Sequence, residues 1–330
     1  MRGHGSGPVP DRLGDRRGPV LCRSGGPSPE REYTTSCSGH PDLGSAPLRW
    51  ELPTAAHLVV VHRNRGAVCR RTVERFLAQA DLTVTVVDNG SEPGELADLR
   101  DGLSGDVEVV EAGSNLGFGP GANVGLERWL AGPHEICLLA PHDARPLDGT
   151  VQRLLEEMRA RPSAGLACAD VGDGEVPRIQ PFLGPIGEPG AGEDGWEAAD
   201  YPHGTLMALR RGCVEEVGLF DERYFAYCEE ADLGIRATRA GWQVGLVRGA
   251  VVENPESGSE AATIDYLMVR NTLLLLGTHF GMRNAAFRAG VVLVESAVGW
   301  WRPEVRGPYH TGRSRFMAVA HAATGRFGPP

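Results

Sequence analysis

The sequence predicts an α/β protein built on a single doubly wound, mostly parallel sheet flanked by helices, with a helical extension at its C-terminal end. Three observations predict it. Apolar runs of strand length alternate with segments whose apolar residues recur at helical spacing. The runs end in short polar or glycine-rich turns, and sheets of this class bind ligands beyond the carboxyl ends of their strands. The chain has 330 residues, enough for one large α/β domain with appendages or for two small ones.

In order, Met1 to about Ala55 is rich in Gly, Pro, Ser and Arg without an apolar period, and reads as disordered or as upstream sequence from a wrong start. Folding begins at His57-Leu58-Val59-Val60-Val61, a buried-strand pattern that runs into His62-Arg63-Asn64-Arg65-Gly66. Val73, Phe76, Leu77 and Ala80 mark a helix. Leu82 to Val87 is a second strand, ended by Asp88-Asn89-Gly90-Ser91, and Leu96, Leu99 and Leu103 mark a second helix. Val107 to Val110 is a third strand. Gly113 to Gly125 then holds five glycines and two asparagines around Phe118, ahead of a helix from about Pro120 to Leu130. Such a loop lets backbone amides approach a phosphate or sugar, and the helix start adds its dipole; a loop that only needs positive φ is the alternative.

Ile136 to Leu139 is the next strand, and the turn after it carries His142, Asp143 and Arg145. An acid just past a buried strand can hold a divalent ion or simply cap its turn. A helix with Val151, Leu154, Leu155 and Met158 leads to a strand over Gly165 to Ala169. Asp170 to Asp200 is too long for a plain connector and reads as a mobile lid or disordered insertion. Gly204 to Leu209 resumes as a strand.

Phe220 to Arg236 is the chemically richest stretch: Phe220, Tyr224, Phe225 and Tyr227 lead into Glu229, Glu230 and Asp232, and the acids open a helix to about Ala240. Carboxylates in a first helical turn suit the helix dipole, which is the plain structural reading. Asp232 and Arg236 are spaced to pair, and Glu229 is expected to share that charge and stay ionised. Glu230, behind an aromatic wall, is expected to have a pKa lifted towards neutrality, which suits a general base.

Composition bounds the function. The net charge of −10 implies no general nucleic-acid surface. All 33 basic residues are arginine, which excludes lysine-based phosphate loops and Schiff-base chemistry. Seven scattered cysteines without a CxxC suggest neither a zinc site nor a disulfide framework, and fit a reducing cytoplasm.

Asn64, the Val87-Asp88-Asn89-Gly90-Ser91 strand end, the Asn115 to Gly125 loop, the Asp143 turn and Glu229-Glu230-Ala231-Asp232 occur in that order. Together they resemble the inverting family 2 glycosyltransferases of the GT-A fold, especially the rhamnosyltransferase-like branch, over about His57 to Gly281. The resemblance implies transfer of a sugar from a nucleotide-diphosphate sugar to an acceptor hydroxyl in cell-envelope or polysaccharide synthesis. It implies that Asn64, Asp88, Asn115, Gly117, Gly119, Asn123 and Arg145 bind the donor. Asp143 matches the last metal-binding acid, with Mg²⁺ or Mn²⁺ as cofactor. Glu230 matches the acid that holds the base, beside Glu229 and Asp232, and Tyr224 and Phe225 would shape the acceptor side. Three departures stand out. Pro141 replaces the first metal-binding Asp, Glu230 replaces the commoner Asp, and no histidine lies near Val252-Glu253-Asn254; His142 could compensate as a ligand.

The domain reading is therefore an N-terminal segment 1–55, a glycosyltransferase domain 56–262 and a helical extension with tail over 263–330. Within the extension, Ile264 to Leu276 and Ala285 to Trp301 are apolar but too short or too charged to span a membrane. They read as two buried helices or as a peripheral contact through 264–301 with Trp at headgroup depth, on a cytoplasmic protein at the inner membrane face. The expected partners are the donor and a glycan or lipid-linked acceptor. Two rivals remain: a non-catalytic nucleotide-sugar-binding relative, suggested by the altered metal motif, and a sugar nucleotidyltransferase. The latter would need a basic Gly-rich loop after the first strand, where this chain has His62-Arg63-Asn64-Arg65.

Overall fold

The computed structural model describes residues 56–254, 260–306 and 309–330. The reading of 1–55 as disordered falls outside them.

Strand β1 (Ala56–His62) is buried along its whole length, as its run of Leu and Val requires. It pairs in parallel with β2 (Leu82–Asp88), whose far side carries β3 (Glu108–Glu111), also parallel. On its other side β1 pairs in parallel with β4 (Ile136–Pro141). Sheet order reverses here: chain order runs outward through β2 and β3 on one side and resumes on the other with β4. The pairing puts His62 opposite Asp88 and Val61 opposite Pro141, so the first, second and fourth strands end at one edge. That edge is the switch point at which open α/β sheets take ligands.

Helices α1 (Gly66–Leu77) and α2 (Pro93–Asp101) follow the first two strands, and α3 (Phe118–Ala131) follows the third. Helix α3 lies very close to the sheet, because a Cβ on Gly125 would fall 2.4 Å from Val59 Cγ1. Part of the glycine richness of the 113–125 loop is thus demanded by packing. After β4 come the two-residue β5 (Arg145–Pro146), helix α4 (Thr150–Ala160) and β6 (Ala164–Asp170).

The long segment expected to be a lid or a disordered insertion is ordered. It forms a hairpin of β7 (Glu175–Gln180) and β8 (Gly184–Pro189), then β9 (Gly195–Ala198). The physical reason is a buried arginine, which composition alone did not reveal. Arg248 bonds the Asp170 carboxylate at 3.0 Å, the Glu197 carboxylate at 2.8 Å and the Glu175 carbonyl at 3.1 Å. One guanidinium so pins both ends of the excursion.

Strand β10 (Met207–Arg210) is antiparallel to both β4 and β6, and α5 (Arg211–Val217) follows it. Helix α6 (Glu229–Arg239) is preceded by an irregular turn, and β11 (Gln243–Glu253) returns parallel to β6. The sheet is therefore mostly parallel, as expected, with β10, β9 and β5 running against it.

Three helices close the chain: α7 (Ala261–His279), α8 (Met282–Trp301) and α9 (Gly312–Ala323). The expected boundary at 262/263 falls inside the first turn of α7. These helices belong to the same compact unit as the sheet. Helix α7 is buried from Ile264 to Leu276 on most sides, whereas α8 buries only Ala285, Val292, Ser296 and Gly299. The pair is thus not two equally buried helices. Cys69, Cys137, Cys168, Cys213 and Cys228 are free and buried, and pack as small core residues.

Candidate active site

The ligand edge starts from His62 and Asp88. His62 Nδ1 lies 3.1 Å from Asp88 Oδ1, and the other Asp88 oxygen accepts the Ser91 amide at 3.2 Å. Burial lowers the His62 pKa, with Asp88 as the main opposing influence. A neutral ring whose Nδ1–H donates to Asp88 leaves Nε2 as a buried lone pair without a partner. His142 stacks edge-on at 5.6 Å, and its Nε2 is likewise buried without a partner. Thr72 fixes this turn by donating to the carbonyls of His142 at 2.7 Å and Ala144 at 3.2 Å. Asp143 is buried at the end of β4, and Arg145 lies two residues on, at the start of β5.

Asn64 joins strand ends rather than facing open space. Its side-chain oxygen accepts the Glu92 amide at 3.0 Å, and its own amide donates to Ser91 Oγ at 2.7 Å. Both Asn64 and Arg65 have positive φ, so this turn is strained as well as stapled.

The glycine loop is braced by Asn89, a residue that the sequence reading passed over. Its Nδ2 donates to the Gly117 carbonyl at 2.8 Å and its Oδ1 accepts the Leu116 amide at 2.9 Å. Asn115 Oδ1 accepts the Gly117 amide at 3.2 Å. The signal for Asn89 was its place beside Asp88, directly after a buried strand. Asn123, expected to line the donor, is committed elsewhere: its amide donates to the Phe220 carbonyl at 2.9 Å and accepts the Phe220 amide at 3.0 Å. It ties α3 to the acidic stretch. Gly117 and Gly119 touch that stretch directly. A Cβ on Gly117, where φ is +93°, would meet Phe225 O at 2.1 Å, and one on Gly119 would meet Glu229 Cγ at 3.2 Å.

The turn before α6 is the most strained part of the site. Phe225, Tyr227 and Cys228 all have positive φ, which non-glycine residues rarely adopt. Asn271 of α7 holds the turn from behind. Its Nδ2 lies 2.7 Å from the Tyr224 and Ala226 carbonyls and 2.8 Å from that of Tyr227. Two aromatics expected on the acceptor side are both buried. Tyr224 is fully buried with Cys228, Ala231, Ile235, Leu274 and Leu275, and Phe225 is buried against Tyr266, Leu267 and Leu273. Aromatic character alone did not reveal that they face α7.

Glu229 and Glu230 come next, each with a buried Oε2 that has no partner. Burial first, and the neighbouring Glu230 second, push Glu229 well above the usual carboxylate range. Glu230 rises to about 7, also through burial, held down by helix-start amides and by a hydrogen bond from Glu229. Burial and mutual repulsion thus favour one proton held between the two carboxyls. This corrects the expectation that Glu229 stays ionised beside Arg236. Arg236 gives its Nε–H to Asp232 at 2.8 Å, and His279 Nε2 lies 2.6 Å from the other Asp232 oxygen. Asp232 is therefore committed to a clamp between α6 and α7, and stands apart from the two glutamates. On the open side of Glu230 lie Gly204 and Tyr201; a Cβ on Gly204 would be 3.8 Å from Glu230 Oε1.

A divalent ion fits this edge in part. Asp143 offers hard oxygen, and the bare His142 Nε2 is a softer donor that Mn²⁺ tolerates better than Mg²⁺. Among the described residues no group of three or more His, Cys, Asp or Glu could hold a metal unaided. Any ion would need ligands from a bound diphosphate.

The chain is similar to known proteins both in sequence and in fold. Residues 58–218 match the model for glycosyl transferase family 2, which ends before Glu229. An N-acetylglucosaminyl-diphospho-decaprenol L-rhamnosyltransferase from Mycobacterium tuberculosis is 26% identical, covering 71% of this chain and 83% of that protein. The low-salt glycan biosynthesis hexosyltransferase Agl10 of Haloferax volcanii is 25% identical, over 68% of this chain and 76% of its own. Among solved structures, a Pyrobaculum calidifontis mannosyltransferase in complex with GDP-Man and Mn²⁺ aligns with a TM-score of 0.53 at 15% identity, covering 82% of this chain and 86% of that one. GalNAc-T7 with UDP, GalNAc and Mn²⁺ aligns with a TM-score of 0.56 at 13% identity, covering 82% of this chain and 56% of that one. These two likenesses are of fold.

Proposed function

We propose that this chain, which belongs to glycosyl transferase family 2 and is a glycosyltransferase, works by inversion with Glu230 as its base. The acceptor hydroxyl gives its proton to Glu230 as its oxygen attacks the anomeric carbon of a nucleotide-diphosphate sugar. One carbon–oxygen bond forms, and the bond from that carbon to the diphosphate breaks. The observation that carries this reading is the pair of carboxyls, each with a buried oxygen that has no partner, of which Glu229 lies against the glycine loop and Glu230 faces Gly204. Protonated Glu229 orients Glu230 and lowers the cost of its charge.

The His62–Asp88 pair and the turn after it, stapled by Asn64, hold the nucleotide, with Asn89 and Asn115 fixing the loop that borders the sugar. Gly117 and Gly119 let that loop approach Phe225 and Glu229, next to the base. Arg145 and Asp143 serve the diphosphate. An Mg²⁺ or Mn²⁺ ion held there by Asp143, with His142 beside it, would neutralise charge on the departing diphosphate. The rhamnosyltransferase relative is named for a lipid-linked diphosphate acceptor. We take a lipid-linked acceptor for this chain too, with the protein resting at the inner face of the membrane.

Glu230→Gln keeps size and hydrogen bonding but cannot take the proton. Turnover should fall roughly 10²–10⁴-fold with donor affinity near normal, checked by transfer assay and calorimetry. Wild-type turnover in Glu230→Gln sinks the assignment. Donor binding without any transfer or donor hydrolysis would favour a non-catalytic sugar-nucleotide binder.

A further inference from the structure

Surface helices ordinarily turn their polar residues outward. Helix α8 does the reverse. Its outward residues include Phe287 (55% exposed), Val294 (64%), Trp300 (76%) and Trp301 (86%). Phe287, Val294, Val298 and Trp301 follow at helical spacing and form one stripe along a helix of 20 residues. The single carboxylate on this outer side, Glu295, is held by Arg288 at 3.1 Å and Arg315 at 3.2 Å. The stripe is bordered by cations: Arg283 precedes Phe287 by four residues, and Arg302 follows Val298 by four.

A second element reaches the same face. At the tip of the β7–β8 hairpin, Phe182 lies exposed and meets the Phe287 ring edge-on at 5.6 Å, and Asn284 donates to the Pro181 carbonyl at 2.7 Å. The apolar surface thus spans two elements far apart in sequence.

Charge says what covers it. Met282 to Pro330 holds seven arginines and two glutamates, a net of +5, on a chain whose total is −10. A second copy would bring like charge to this face. An anionic lipid surface is complementary to it, takes apolar side chains to the depth of its acyl boundary and favours Trp at its headgroups. No helix among the described residues is long and apolar enough to cross a membrane.

We infer that the outer face of α8, with the tip of the β7–β8 hairpin, is a docking surface for an anionic phospholipid bilayer. It narrows the membrane contact from 264–301 to α8, since α7 is buried, and adds Phe182, which sequence alone did not connect. The inference deepens the reading of a membrane-borne acceptor and rests on it for its purpose. The hairpin whose tip would enter the lipid also flanks Tyr201, beside Glu230. Docking would so bring the acceptor side to the surface where a lipid-linked acceptor presents its sugar.

The test is flotation of the full chain with vesicles of phosphatidylcholine alone and of phosphatidylcholine mixed with phosphatidylglycerol. The wild type should float with the mixed vesicles, at least tenfold less with the neutral ones, and less at high salt. Trp300→Ala/Trp301→Ala and Val294→Asp/Val298→Asp lie at exposed positions and should each cut binding at least tenfold with unchanged circular dichroism. A wild type that stays unbound on mixed vesicles overturns the inference. So does binding unchanged in both variants, or a dimer that Val294→Asp/Val298→Asp splits. Sugar transfer to a water-soluble acceptor, measured in parallel, should be unaffected by these variants. A wild type that transfers sugar but does not float rejects the docking surface alone; a wild type that floats but does not transfer rejects the enzymatic reading alone.

Discussion

The donor edge and the turn before α6 are made in opposite ways. At the donor edge, side chains from neighbouring strand ends satisfy each other: His62 with Asp88, Asn64 with the Ser91–Glu92 turn, Asn89 with the glycine loop. At the acidic turn, three residues hold left-handed backbone and two carboxyls are left without partners for one oxygen each. The first region can stand on the sheet alone. The second persists because α7 grips it, through Asn271 and through His279 on Asp232. Reactive groups are costly to hold, and the cost here is met by a helix that follows the sheet in sequence.

That contrast can be broken most severely at Gly117, where the two regions touch. Gly117→Ala puts a Cβ against the Phe225 carbonyl at a positive φ, and neither backbone can yield easily. The combined overpacking and strain should cost roughly 3–5 kcal/mol, seen as a lowered urea midpoint. A variant as stable as the wild type would show that the loop and the turn are not tightly joined.

Asn271→Ala sharpens the comparison from the other side. It strips three carbonyls of a common donor and frees the strained residues. Stability should fall by roughly 2–4 kcal/mol. Turnover should fall in the folded fraction, while nucleotide affinity, which belongs to the donor edge, stays within a few-fold. Equal losses of nucleotide affinity and turnover would mean that α7 supports both regions alike. Asp88→Ala is the mirror experiment and a milder one for the fold. It removes two hydrogen bonds, about 1–3 kcal/mol, and should weaken nucleotide binding at least tenfold. Unchanged affinity in calorimetry rejects that role for Asp88.

The same contrast explains what could be read in the chain beforehand. Strand ends were legible because a buried run of Leu and Val stops at a polar residue, and pairing register then aligns those residues. So Asp88, Asp143 and the glycine loop were found on one edge, and His62 could have been, since it ends β1 as Asp88 ends β2. The turn was legible only as composition. That Tyr224 and Phe225 face α7 depends on left-handed backbone at 225, 227 and 228, which non-glycine residues do not advertise. The ionisation of Glu229 was misread for a related reason: helical spacing offered Arg236, but Asp232 and the carbonyls of Val217 and Leu219 take its guanidinium. The order of the 170–200 excursion was hidden because its anchor, Arg248, lies in a strand that comes later.

The smallest expected effect is the most specific to the acidic pair. Burial raises Glu230 to about 7 and pushes Glu229 well above the ordinary glutamate range as well. Between about pH 4.5 and 7 the folded protein therefore binds more protons than the unfolded chain, so stability must fall as pH rises through that window. That loss should vanish in Glu229→Gln/Glu230→Gln, whose melting temperature against pH gives the difference directly. Activity runs the other way, because the base must be ionised: kcat/KM should rise with pH to a plateau above about 7. Glu229→Gln still donates a hydrogen bond to Glu230, so its acid limb should stay near that of the wild type, whereas Glu229→Ala removes the bond that holds Glu230 down and should move the limb to higher pH. A limb that disappears in Glu229→Gln and persists in Glu230→Gln would give the base to Glu229.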